Sequence, residues 1–183
     1  MRLALLVLLA SQLLHAKGAD DVGCAILEAD IKPMLASGAG VQGKVYRSKQ
    51  PHFLIEEALL ADGARLKLRQ GGCERYKKRF EFEAVPYKGS LASRKNALTL
   101  AASLLSRPIG PKGAALDADM AARYTETAPD IDAMARKDDG SVWGGCQSFL
   151  CTVSYNCQNA VCSVELKRDD EDTVRLTAVL DYP

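Results

Sequence analysis

Residues 161–181, VCSVELKRDDEDTVRLTAVLD, decide the fold. Val174, Leu176, Ala178 and Leu180 alternate with Arg175, Thr177 and Asp181, the period-2 pattern of a strand with one face buried and one in water. Val161, Val164 and Leu166 lead into the acidic run Asp169-Asp170-Glu171-Asp172. The segment therefore reads as an antiparallel hairpin closed by a solvated turn.

The same alternation recurs near the other end. Leu66 and Leu68 alternate with Arg65, Lys67 and Arg69, and Phe80, Phe82 and Ala84 alternate with Arg79, Glu81 and Glu83. Asp62-Gly63 is a hairpin signal, because both residues tolerate the positive φ of a two-residue turn. Before it, Glu56 to Leu60 favour a helix by propensity, but the turn argues for a strand over Phe53 to Leu60. From Val41 the pattern also turns toward strand, after a weakly helical stretch at Gly23 to Leu35 interrupted by Pro33 and a loop at Ser37 to Gly40. These elements make an N-terminal meander.

The middle changes character. Leu91, Leu98, Ala102 and Leu105 form a helical stripe with Ser90 as N-cap, stopped by Pro108, Gly110 and Pro111. A second helix opens at Asp117 and carries Met120 and Tyr124. A third has Pro129 in its first turn, carries Ile131 and Met134, and ends before Asp138-Asp139-Gly140. Strands, helices, then strands predict an α+β fold: a mostly antiparallel sheet from N- and C-terminal strands with a central helical block, braced by disulfides.

Arg2 followed by the apolar run Leu3 to Leu14, with polar residues from Lys17, is the layout of a secretory signal peptide. The run is about a dozen residues, short of the ~20 that span a bilayer, so no stable membrane anchor is expected. Residues 1–19 are assigned to the signal peptide, with the mature start between Lys17 and Asp20. Residues 20–183 are assigned to a single α+β domain, and the periplasm or the medium is the expected location. Gly23-Cys24 raises a lipid anchor, but Asp21 stands where that signal wants an apolar residue.

Six cysteines, Cys24, Cys73, Cys146, Cys151, Cys157 and Cys162, lie beyond this segment and in an exported chain imply three disulfides. The spacing favours Cys24 with Cys73 and the other four among themselves. Closing the first loop would remove about 4 kcal/mol of unfolded-state freedom on the chain-entropy model. A zinc site is the rival for the C-terminal four, but C-x4-C-x5-C-x4-C lacks the tight knuckles and long insert of such sites.

The chemistry is sparse. Of two histidines, His15 leaves with the signal peptide, and His52 alone, with no nucleophile elbow, makes no hydrolase triad. Glu56 and Glu57 point to opposite faces of a strand. Glu81 and Glu83 share a face but alternate with buried phenylalanines, as solvent-facing residues do. Neither Asp130 to Asp139 nor Asp169 to Asp172 matches a calcium loop. Gly71-Gly72 and Gly144-Gly145 each precede a cysteine and look like backbone accommodation for a bridge. No catalytic residue, metal or cofactor is expected.

With 24 basic and 23 acidic residues, no global field points to nucleic acid. The local balance differs. Arg65, Lys67, Arg69, Arg75, Lys77, Lys78 and Arg79 oppose one acid, Glu74, and on a hairpin they would gather on the outer face. That surface is either a solvated, aggregation-resistant edge or a docking site for an acidic partner. Trp143, Tyr155, Asn156 and Phe149 could add contacts beside the cysteines, and the loop at Ser154 to Gln158 could insert into a partner.

The signal peptide, the Gly-Gly-Cys-Glu segment at Gly71 to Glu74 and the cysteine-rich tail give the chain a likeness of class to a group of known proteins. It resembles the small periplasmic inhibitor and immunity proteins that bacteria direct against cell-wall-degrading enzymes, among them lysozyme inhibitors and the immunity partners of type VI secretion amidase effectors. No residue role transfers with it. The resemblance implies a binding protein whose partner is a protein, an envelope enzyme or toxin. A secreted hydrolase using carboxylates, or an envelope component resting on anionic polymer, are the competing classes.

Overall fold

The computed structural model describes residues 31–182 apart from 39, 74 and 138. The signal-peptide segment, Cys24 and most of the stretch read as weakly helical lie outside the described residues; over 31–36 the backbone has no regular structure.

Among the described residues eight strands, numbered β1 to β8 along the chain, form one antiparallel sheet in the order β1-β2-β3-β4-β8-β7-β6-β5. The first meander is β1 (Val41–Gln50), β2 (Phe53–Leu60), β3 (Arg65–Gly71) and β4 (Lys77–Pro86). Between the meanders lie α1 (Arg94–Leu105), a 3-10 turn at Pro111–Gly113, α2 (Ala118–Thr127) and α3 (Ile131–Ala135). The second meander is β5 (Val142–Trp143), β6 (Leu150–Asn156), β7 (Val161–Arg168) and β8 (Thr173–Asp181). The chain returns so that β8 pairs with β4 and fuses the two meanders.

The alternation that predicted β8 holds. Val174, Leu176, Ala178 and Leu180 are all fully buried, as are Leu68, Phe80 and Phe82 on β3 and β4. The segment Phe53–Leu60 is a strand, so its pairing on both sides overrides the helix propensity of its glutamates and leucines.

Four local readings are corrected. The Asp62-Gly63 turn is a three-residue loop: Leu60 N–H donates to Ala64 O at 2.8 Å, and Gly63 takes the positive-φ position at +85°. Ala84 is exposed at φ +54°, in a bulge that shifts the pairing between Phe82 and Val85, and Val85 is buried in its stead. The cap of α1 is Ser93, whose hydroxyl accepts from Asn96 N–H at 3.2 Å; Ser90 instead accepts from Ala92 N–H. The third helix begins at Ile131, after Pro129, and has only five residues. The middle of the chain is accordingly less helical than expected.

The helices cover one face of the sheet. Ala97, Leu98, Ala101, Leu104 and Leu105 of α1 are buried, and α1 touches β6 and β7. Asp117, where the second helix was expected to open, is its cap, accepting from Met120 N–H at 3.1 Å. Tyr124 of α2 is fully buried and its hydroxyl donates to Ser163 O at 2.9 Å, which fixes the helix over the centre of the sheet.

Candidate functional site

Period-2 alternation that buries one face of the sheet turns the other outward, and no helix or strand of the described residues covers it. The register lines its side chains up across the strands. One row runs Thr152, Glu165, Thr177, Glu81, Lys67, Glu57 and Tyr46 from β6 to β1. The next runs Trp143, Ser154, Ser163, Val179, Arg79, Arg69, Ile55 and Ser48.

The N-terminal half of this face is charged. Tyr46, Glu57, Leu59, Arg65, Lys67, Glu81 and Glu83 line a concavity of about 560 Å³. Its charges are largely satisfied in place: Lys67 pairs with Glu57 at 3.0 Å, Arg79 with Glu81, and Arg175 of β8 with Glu83 at 3.6 Å. Arg69 lies over the Phe53 ring, 3.9 Å from its centroid. Lys77 pairs with Asp181 at 2.8 Å. The expected positive field is thus reduced by acids of the same strand (Glu81), of the adjacent strand (Glu57) and, distant in sequence, of β8 (Asp181).

Lys78 does not join the outer face. It shares the phase of Phe80 and Phe82, points under the sheet and pairs with Asp117 at 2.8 Å. Burial disfavours its ammonium, but the hydrogen bond and charge of Asp117 outweigh that and raise its pKa above the usual lysine value. Asp117 spends its other oxygen capping α2, so the pair ties β4 to the helical layer. Glu56 has a similar role. It is fully buried and accepts from Met34 N–H at 2.7 Å, Leu35 N–H at 3.3 Å and Arg47 Nε at 3.0 Å, clamping the segment before β1.

The C-terminal contacts divide in the same way. Trp143 is 45% exposed and sits on the open face opposite Ser154. Asn156 is exposed at the end of β6. Tyr155 is buried, donates to Arg123 O at 3.3 Å, and has its pKa pushed up to about 12 by desolvation. It is a core residue and cannot contact a partner. Ser154 to Asn156 is strand, so of the expected insertion loop only Cys157 and Gln158 lie in a turn, a tight one closed by Cys157 N–H to Ala160 O at 2.9 Å.

Both C-terminal pairs of cysteines are disulfides, Cys146–Cys151 and Cys157–Cys162. Each closes a tight turn at one end of β6. The first turn presents Phe149, 57% exposed, and is closed by Gln147 N–H to Leu150 O at 2.8 Å. The second is a two-residue turn with Gln158 at φ +44° and Asn159 at +63°. Cys73 is also disulfide-bonded. Its expected partner Cys24 lies outside the described residues.

The glycines before the cysteines serve close backbone approaches. A Cβ on Gly71 would meet His52 O at 2.1 Å, and one on Gly144 would meet Thr152 O at 2.3 Å. His52 lies in the β1–β2 turn at φ +62°, and its carbonyl accepts from Gly72 N–H at 2.9 Å.

No protein-family model matches the chain, and no curated protein or solved structure is significantly similar to it.

Proposed function

We propose that the protein is an exported binding protein that inhibits, or confers immunity against, an enzyme acting in the cell envelope, such as a cell-wall hydrolase. The observation that carries this reading is the open face itself: a continuous, pre-formed surface across eight strands, with an exposed aromatic near each edge, Tyr46 and Trp143. Aromatic groups on a rigid surface are efficient anchors, because they bury large area while losing few rotamers. Paired charges in fixed rows supply register and selectivity more than affinity. The two disulfides limit the ordering cost at the β6 edge, where Phe149 is presented.

The test is capture from periplasmic and secreted extract on the oxidised protein, followed by inhibition assays with each captured enzyme purified. The expected result is stoichiometric inhibition of one hydrolase, weakened in Lys67→Glu/Arg79→Glu. Capture that survives this double variant removes the charged half from the interface. An absence of any inhibited enzyme overturns the reading.

One observation favours a second reading, a hydrolase using carboxylates. Glu57, Glu81 and Glu83 line the same concavity. Glycoside hydrolysis needs two carboxyls presented to the bond, yet each of these is engaged with a cation within 4.0 Å. Turnover of a cell-wall polymer that disappears in Glu81→Gln would establish this alternative.

A further inference from the structure

The C-terminal half of the open face is built from short hydroxyl side chains where the other half carries long charged ones. Thr152 and Ser154 on β6, Ser163 on β7 and Thr177 on β8 share this half of the face: Ser154 lies directly opposite Ser163, and in the next row Glu165 stands between Thr152 and Thr177. Ser154 Oγ donates to Ser163 Oγ at 3.0 Å, which leaves the Ser163 hydroxyl hydrogen to be offered outward. Together with Glu165 between the threonines and Val179 beside Ser163 they line a shallow depression of about 180 Å³, bordered by Arg79. Trp143 stands one strand further out, beside Ser154.

Three features specify the ligand chemistry. The depression lies below the ~300 Å³ at which pockets enclose a whole small molecule, so it takes one ring of a longer ligand that continues across the sheet. Its polar groups mix donors and acceptors at close spacing, since each hydroxyl does both, Arg79 donates and Glu165 accepts. Its charge disfavours an anion: Arg79 is already paired with Glu81, which leaves the carboxylate of Glu165 to repel one. An extended peptide would find no main-chain partners here, because those of β6, β7 and β8 are used within the sheet.

We propose that this surface binds an uncharged glycan strand. One sugar ring sits over the Ser154, Ser163 and Thr177 hydroxyls and the next stacks its C–H face on the Trp143 indole, whose π-face carries partial negative charge. This inference goes beyond the inhibitor reading and does not depend on it.

The experiment uses the full oxidised protein, whose single tryptophan is the reporter. It is titrated with the tetramer of N-acetylglucosamine, with cellotetraose and with maltotetraose, and in parallel with anionic tetragalacturonate, followed by fluorescence and by calorimetry. The expected result is a saturable change with at least one neutral tetramer and none with the anionic one. Ser163→Arg, which fills the depression from the solvent side, and Trp143→Ala should each weaken binding by about ten-fold or more by calorimetry, and Lys67→Glu should leave it unchanged. Ser163→Ala, which removes one hydroxyl without added bulk, is the fallback should the arginine variant misfold, and should weaken binding by about three-fold or more. Failure of every neutral tetramer to bind, equal binding of tetragalacturonate, or undiminished binding by a folded Ser163 variant would overturn the proposal.

Discussion

The two meanders of the sheet solve the same structural problem by different means. The first, β1 to β4, is tied to the rest of the molecule from beneath by buried charges: Glu56 on the backbone of residues 34 and 35, and Lys78 on Asp117. The second, β5 to β8, is tied by covalent turns and by tyrosine hydroxyls, with Cys146–Cys151 and Cys157–Cys162 at the two ends of β6 and Tyr124 and Tyr155 beneath it. Their open faces differ in parallel, ion-paired on one side and hydroxyl-lined on the other. Buried ion pairs are expensive to break singly because one charge is left without a partner, whereas a short disulfide acts through the freedom it removes from the unfolded chain. The difference predicts which half fails under which perturbation.

The largest effect should come from Lys78→Met. It leaves Asp117 buried and unpaired, and since Lys78 is only partly buried the expected cost is about 3 kcal/mol, read as a lower midpoint in urea unfolding. The pH dependence has a definite sign. A raised lysine pKa contributes stability that is complete below the unfolded value near 10.5 and is lost as pH rises through the higher folded value. The gap between wild type and the methionine variant should therefore narrow above that pH. A constant gap would show that Lys78 acts by packing alone.

Next in size is Cys157→Ser/Cys162→Ser, which opens the bridge over the Gln158-Asn159 turn. The chain-entropy model gives about 2 kcal/mol for so short a loop, with the loss expressed at β6 and β7 in hydrogen exchange. Uniform loss of protection across β1 to β4 as well would mean that the two halves unfold as one unit and share their ties.

Tyr155→Phe should cost about 1 kcal/mol, by leaving the Arg123 carbonyl without its donor, and should remove the tyrosine that titrates near 12. A spectroscopic alkaline titration identical to wild type would place another tyrosine in that role. The smallest effect is expected from Lys67→Ala. Its pairing with Glu57 is half exposed on both sides, so stability should change by less than about 0.5 kcal/mol. A larger loss would mean that the charged rows brace the sheet as well as decorate it.

Much of this was legible residue by residue, and the misreadings have identifiable causes. The period-2 pattern gave the buried faces of β3 and β8 directly, and that of β4 as far as Phe82, beyond which the bulge at Ala84 shifts it to Val85. Lys78 stands in phase with Phe80 and Phe82, so its inward position was available from the same alternation; grouping it with its basic neighbours by charge concealed this. β6 was harder, because Cys151, Val153 and Tyr155 alternate as core residues, yet cysteine and tyrosine read as a bridge and a binding group. The two-residue turn lies at Gln158-Asn159, which carries no glycine, while Asp62-Gly63 closes a longer loop. A disulfide and a cross-strand pair hold the former in positive φ where local preference alone would not.

Sequence by itself determined the faces of the best strands, the antiparallel character of the sheet, the start of the second helix and the confinement of the last four cysteines to one another. These depend on local periodicity and on spacing, which a linear chain displays. Only the tertiary structure decided that β4 meets β8, which brings Asp181 to Lys77, Arg175 to Glu83 and Arg79 to the hydroxyls of the second meander. Only the strand register decided which carboxylates share a concavity and which hydroxyls form a patch. Cross-strand neighbours about 5 Å apart on a sheet can be a hundred residues apart in the chain, so the character of a surface emerges only when the strand order is set.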